Sequence, residues 1–369
     1  MPSNSSFYFS NHQLCTRSAL QSWFKEHQRR LPWRGAANIY DTWLCEIIMQ
    51  QTRIDQGTAY WLKFKDRWPN VQALAEADLS DVLKAWQGLG YYSRARNLHR
   101  AANIVAFDLD GVFPENSKAW RVIPGVGPYT AAAISSICFE EVVPAIDGNV
   151  IRVISRFLGI HSPIDRPEGR RELEAFAENW ISPQSPGDHN QAVMELGALV
   201  CTPRKPDCDA CPLNEACLSR MNTPGETPAP PIKLGKTTVQ NVVLDFHVIA
   251  TEHKVWMRQR PSPGIWAGLF EFPSNIQPGE RNERHQHAYC PPEPPFESLI
   301  SLGAMGDSFH HILSHRKMHV QFWLWRGSLS KGYGEGEWTD WDNAEELALP
   351  RVLERSWKDL KNSALFQIR

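Results

Sequence analysis

Apolar residues recur at three- and four-residue intervals through most of the first 220 positions. YDTWLCEIIMQQTRIDQGTAYWLKFKDRW (40–68), LSDVLKAWQGLG (79–90) and SKAWRVIPGVGPYTAAAISSICF (117–139) all carry this helical period, with Gly and Pro near their ends. The period fails in MNTPGETPAPPIKLGKTT, residues 221–238, whose Pro- and Thr-rich composition predicts a semi-extended linker. Beyond it the pattern is that of strands. VQNVVLDFHVIATEHKVWMRQR (239–260) predicts two strands around a turn, and HVQFWLWRG (319–327) another. DNAEELALPRVLERSWKDL (342–360) predicts closing helices. The expected architecture is a mainly α domain over 1–220, a linker over 221–238 and a smaller α+β domain over 239–369. No internal repeat interrupts this order.

At 369 residues, with 42% hydrophobic and 22% charged positions, the chain has the composition of ordinary globular cores. Its formal net charge is only -2. Nucleic-acid binding would therefore rest on local basic surface and specific loops, not on a global charge excess. No apolar run reaches the roughly 20 residues that span a bilayer, and the first residues lack a basic-then-apolar leader. A cytoplasmic, reducing setting without membrane attachment is expected, and there clustered cysteines favour metal over disulfides.

Four of the eight cysteines fall in CTPRKPDCDACPLNEAC, at Cys201, Cys208, Cys211 and Cys217. Structural zinc sites pair their ligands as two short C-x2-4-C knuckles. The C-x6-C-x2-C-x5-C spacing is unlike that and suits a loop wrapped around one [4Fe–4S] cluster. Arg204 and Lys205, in the first gap, are candidate phosphate contacts.

Upstream, IPGVGPYTAAAI has the form of a helix–hairpin–helix. Gly125 and Gly127 permit a tight turn and close backbone approach, and the next helix N-terminus offers N–H groups to a phosphate. Downstream, Asp147 in AIDGNVIRVISRF precedes a helical run; taken alone, it reads as an N-cap. Glu46 lies in WLCEIIMQQTRI between Cys45 and Ile47, where burial would raise its pKa and keep a proton on it near neutrality.

Hairpin, Asp and thiol loop, in that order, resemble the helix–hairpin–helix, Gly/Pro, Asp superfamily of DNA glycosylases over roughly residues 15–220. Lyases of the endonuclease III type carry a Lys two residues past the second hairpin glycine, where an amine forms a Schiff base. Tyr129 stands there in this chain, and a phenol cannot form an imine. The run Trp43–Thr52, with LPWR before it and GLGYYSRARNL after it, narrows the resemblance to adenine DNA glycosylases of the MutY type.

That resemblance implies base-excision repair of adenine mispaired with 8-oxoguanine or guanine in double-stranded DNA. The target would be flipped out of the helix and an abasic site left behind. Glu46 would protonate adenine N7, and Asp147 would face or capture the sugar cation at C1′. Tyr129 and Asn149 would orient these carboxyls. Such chemistry passes through an oxocarbenium-like state served by two carboxyls with separated pKa values. Gln51 and Tyr91 would insert near the lesion pair. Tyr92 is either a second inserting residue or a core tyrosine. Arg94 and Arg96 would contact phosphate.

GIWAGLFEFP, from Gly264, resembles the Nudix-like, MutT-similar C-terminal domain of the same family. The R-E-x-x-E-E carboxylates of a Nudix hydrolase do not follow it, so recognition and not pyrophosphate hydrolysis is implied. The family reads 8-oxoguanine with an F-S-H turn, matched here by Leu313, Ser314 and His315. The other histidines of HHILSHRKMH show no metal-ligand spacing. A monomer associated with the bacterial nucleoid is expected.

Overall fold

The structure is a computed structural model that describes residues 4–35, 38–221, 230–235, 239–279, 299–313, 315–327 and 336–368. It divides into two compact units, residues 1–76 with 100–235, and residues 77–99 with 236–369. Residues 77–99 group with the C-terminal part of the chain, although their helical period is indistinguishable from that of their neighbours.

The helices in chain order are α1 (Asn4–His27), α2 (Ile39–Met49), α3 (Ile54–Arg67), α4 (Val71–Ala75), α5 (Leu79–Trp86), α6 (Ser93–Asn103), α7 (Ser117–Trp120), α8 (Pro128–Phe139), α9 (Gly148–Phe157), α10 (Pro167–Trp180), α11 (Pro186–Leu199) and α12 (Leu218–Met221). All but α5 and most of α6 belong to the first unit. There α11 packs on α1, α8 and α9, and α2 on α3 and α8. Gly197 of α11 is required for this. A Cβ at that position would lie 2.7 Å from the Asn149 Cβ, so glycine lets α11 close on the first turn of α9. Leu20, Val153, Ile154, Leu173, Trp180 and Leu196 belong to one core cluster of the unit.

The helical period over 40–68 is divided between two helices. α2 ends at Met49, and Gln51 takes a left-handed φ of +57° before α3 begins. Trp43 and Ile47 anchor α2 on its apolar face, and the Asn38 side chain caps its start by accepting from the Tyr40 N–H at 3.0 Å.

In the second unit, β1 (Gln240–Ala250) and β2 (Lys254–Gln259) are the predicted antiparallel pair, and β6 (Arg316–Arg326) is the predicted later strand. The sheet order is β3 (Phe270–Glu271), β2, β1, β6, β5 (Ile300–Leu313), with β1 and β6 parallel; β4 (Ser274–Pro278) adds to β1 and β7 (Gly336–Asp340) to β2. The unpredicted strands are β3, β4, β5 and β7. β5 escapes sequence reading because it is an edge strand, mostly exposed and interrupted by Gly303 and Gly306, both at positive φ. With most of it exposed, no apolar alternation is required of it. Helices α13 (Trp341–Glu345) and α14 (Arg351–Ile368) close the core, where Trp357 stacks on Phe272 at 5.6 Å.

Candidate active site and thiol loop

A cavity of about 240 Å³ opens in the first unit, and Glu46, Tyr129, Asp147 and Asn149 all line it. Three elements deliver them. α2 carries Glu46 on the flank beside its buried face. The hairpin ends in Gly127, the N-cap of α8, with Pro128 in the first turn and Tyr129 next. α9 begins at Asp147. The hairpin turn needs Gly125 at φ +80°. Its carbonyl accepts from Gln50 Nε2 at 3.4 Å, and the same amide reaches Thr130 Oγ1 at 3.2 Å. The end of α2 is thereby tied to the hairpin. Nothing within 4 Å would oppose a Cβ at Gly127.

The two carboxyls sit in different surroundings. Burial raises Glu46 to about 7; the Tyr129 hydroxyl pulls against this and the nearby Asp147 adds to it. Asp147 is also raised by burial. The Val150 N–H, the Asn149 side chain, the Asn149 N–H and the Arg152 charge all oppose that rise. Its Oδ1 accepts from Asn149 N and Val150 N, both at 2.8 Å, and its Oδ2 from Asn149 Nδ2 at 2.7 Å. The N-cap reading of Asp147 is therefore correct as structure. The N–H groups at its helix N-terminus lower the carboxyl, but burial outweighs that effect. Asp147 accepts three hydrogen bonds, whereas the Tyr129 hydroxyl beside Glu46 lies 3.6 Å from Met194 Sδ, so Asp147 is the better solvated anion.

A second set of cavity residues was invisible in the sequence. Glu195, 2% exposed, accepts from Arg29 N, Nε and Nη2, each at 2.8 Å, and lies 3.3 Å from Arg34 Nη2. Burial pushes this carboxyl up, but the two arginines outweigh it and hold it at about 2. Arg29, Arg34 and Gln191 line the same cavity. A buried carboxylate needs such partners, but Arg29 and Arg34 stand far from Glu195 in sequence.

The four cysteines surround a separate cavity of about 220 Å³. Burial lifts the Cys211 thiol to about 11, and the proximity of Cys201, Cys217 and Cys208 adds to the rise. Four thiolates this close repel one another unless a cationic centre neutralises them. Among the described residues no three His, Cys, Asp or Glu side chains converge closely enough for a single metal ion. The donors instead ring a space, which suits a cluster with volume of its own. α9 grips this loop: Arg152 donates to Cys201 O at 2.7 Å and to Asn149 Oδ1 at 2.8 Å, while Arg156 Nη1 lies 3.4 Å from Cys201 Sγ. Arg204 and Lys205 are exposed on the loop.

Three family models match the chain. That of the HhH-GPD superfamily base excision DNA repair protein covers residues 44–182. The iron-sulfur binding domain of endonuclease III covers 201–217, and a NUDIX domain 246–359. The adenine DNA glycosylase of Mus musculus is 31% identical, over 93% of this chain and 77% of its own. That of Buchnera aphidicola (from Acyrthosiphon pisum, strain APS) is 30% identical, over 93% and 96%. This chain belongs to the adenine DNA glycosylase family. A solved thermostable thymine-DNA glycosylase superposes with a TM-score of 0.53 at 26% identity, over 58% of this chain and 98% of its own.

As an adenine DNA glycosylase, the protein is a hydrolase of base excision repair that acts on DNA, with a helical glycosylase domain, an iron–sulfur region and a Nudix-like domain. Among the described residues no helix is long and apolar enough to cross a membrane. The remaining predicted residues are less uniform. Gln51 is exposed. Tyr91 is 45% exposed, with φ +45°. Tyr92 is a core residue, its hydroxyl 3.4 Å from Leu349 O. His315 is exposed at the β5–β6 turn, and Ser314 lies outside the described residues. Arg94 requires correction. It is 8% exposed, with its guanidinium spent on Leu89 O and Gly90 O at 3.2 and 3.3 Å and lying over the Trp86 ring. It braces the Tyr91 loop from inside and presents no charge to a phosphate. Arg96 is half-buried and donates from Nη1 to Ala267 O at 2.5 Å.

Proposed function

We propose that the Glu46 cavity hydrolyses the C1′–N9 bond of an adenine flipped from a mispair with 8-oxoguanine or guanine. The observation that carries this is the carboxyl pair: one acid raised to about 7 and one hydrogen-bonded carboxylate line the same cavity. Glu46 gives its proton to adenine N7. The C1′–N9 electron pair leaves with the base, and the cation at C1′ faces the Asp147 carboxylate. Water then adds to C1′ and loses a proton, leaving an abasic site and restoring the acid. Tyr129 is a neutral phenol, since burial and then the Glu46 charge hold its pKa well above the ordinary value. It orients Glu46 and offers no amine for a lyase step.

In the second unit, Tyr91, Leu313 and His315 line a cavity of about 480 Å³. This is our candidate site for the base opposite adenine. Gln51 and the Gly125–Gly127 hairpin serve the strand held by the first unit.

Single-turnover reaction on a duplex with A opposite 8-oxoguanine, divided into aliquots with and without hot alkali, tests this reading. Scission only after alkali is expected, and faster base release than from A opposite guanine. Scission without alkali would place an unrecognised lyase among the residues of the site. Absence of any abasic product would refute the reading.

Cys201, Cys208, Cys211 and Cys217 would hold one [4Fe–4S] cluster, whose contribution is to order the loop that presents Arg204 and Lys205 to DNA. Four iron and four acid-labile sulfide per chain are expected in the purified monomer. One zinc and no iron would contradict it.

A further inference from the structure

Among the described residues five non-glycine positions have positive φ, and two of them, Tyr91 at +45° and Trp266 at +57°, line the same cavity in the second unit. Bulky residues rarely adopt this conformation, and they hold it only where surrounding structure imposes it. For Trp266 that structure is extensive. It sits in the loop joining β2 to β3, closed by Gly268 N donating to Arg260 O at 2.8 Å and Gln259 Nε2 to Gly268 O at 3.0 Å. Arg96 fixes the next residue through Ala267 O.

The indole itself is clamped. The Arg260 guanidinium lies 5.8 Å from its centroid, and the His311 ring meets it edge-on at 5.9 Å. Arg260 is in turn paired with Glu271, which is fully buried and also bonded to Arg258 at 3.1 Å. A ring positioned this firmly, yet half-buried against a cavity, is a preorganised flat surface. Leu313 contributes no ring to that cavity. Trp266 is therefore the large aromatic group brought to it by the β2–β3 loop and the β5–β6 turn.

We propose that Trp266 is a further binding residue, whose indole stacks on the purine opposite the target adenine. This rests on the assignment of the 480 Å³ cavity to that base. Stacking reads the π-face and not the substituent at C8, so Trp266 supplies affinity for guanine and 8-oxoguanine alike. Discrimination between the two falls to polar groups such as His315.

The test is equilibrium binding to duplexes carrying 2′-fluoro-2′-deoxyadenosine at the target, which resists base loss because fluorine disfavours the C1′ cation. The opposite position holds 8-oxoguanine, guanine or an abasic tetrahydrofuran. Trp266→Ala should weaken binding roughly tenfold with either purine, within the range base stacking supplies, and leave the tetrahydrofuran duplex unchanged. Trp266→Phe should retain most of the affinity. Equal weakening on all three duplexes, or no weakening, would overturn the role of Trp266. If the wild-type protein itself binds all three equally, the cavity assignment fails and not merely the stacking residue. Thermal melts of both variants identify loss of fold; should the Ala variant unfold, the Phe and Leu variants carry the comparison. Leu matching Phe on the purine duplexes would then refute stacking.

Discussion

Glu46→Gln should release adenine roughly 10²–10⁴-fold more slowly than the wild type, the range a positioned general acid supplies, while duplex binding is unchanged. The glutamine fills the same space and can still accept from Tyr129, but it has no acidic proton to give. Wild-type base release should also depend on pH in a definite sense. With Glu46 at about 7, the active form is the protonated one, so the single-turnover rate falls as pH rises through 7. The variant should lose that limb of the profile. A near-normal rate in the variant, or a wild-type rate flat from pH 6 to 8, would remove Glu46 from the acid role.

Stability should move in the opposite direction. The Glu46 carboxyl is raised from its ordinary 4.5 to about 7 in the folded protein. Below the lower value both states hold the proton, and the fold bears no cost. Between the two values the unfolded chain ionises first, and stability falls as pH rises. Above 7 the loss is complete, on the order of 3 kcal/mol at most. The glutamine variant escapes this cost. It should melt above the wild type at pH 8 and together with it near pH 4. Equal melting at both pH values would mean that the folded protein holds Glu46 near its ordinary pKa.

What the sequence revealed was what is local along the chain. Glu46 is conspicuous because a carboxylate among Leu44, Cys45, Ile47 and Ile48 is rare. The hairpin glycines and the cysteine spacing are contiguous patterns with their own backbone and ligand chemistry. Interactions between distant segments were not legible. Arg29 and Glu195 meet across 166 positions, and nothing around either residue foretells the pairing. Arg94 shows the converse error. Its neighbours suggest a basic patch, but the turn at Gly90–Tyr91 needs a donor for its inward carbonyls, and the guanidinium is consumed there. β5 failed for a third reason, since a mostly exposed edge strand is under little pressure to alternate. The grouping of 77–99 with the C-terminal unit is a packing result that no periodicity encodes.

Asp147→Asn separates two roles that wild-type geometry superimposes. As an N-cap, asparagine is about as good as aspartate, so Oδ1 can keep both backbone N–H groups at the start of α9. The local cost arises at the other oxygen. Oδ2 accepts from Asn149 Nδ2, and an amide there would set donor against donor. Asn149 cannot relieve this by turning over, because its own Oδ1 accepts from Arg152. One lost hydrogen bond of this kind costs about 1 kcal/mol, which leaves a folded protein. Catalysis should suffer far more. Removing the anion strips the electrostatic partner from a cation developing at C1′, and losses for a preorganised group of this kind are roughly 10²–10³-fold. The expected result is a variant that melts close to the wild type and binds the duplex, but releases adenine at least two orders of magnitude more slowly. Asp147→Ala supplies the contrast, losing both the cap, worth about 1 kcal/mol, and the charge. If the asparagine variant turns over normally while the alanine variant does not, Asp147 is a helix cap and the cation is stabilised elsewhere. If both fail alike in single-turnover kinetics while only alanine loses the cap energy, the carboxylate charge itself carries the step.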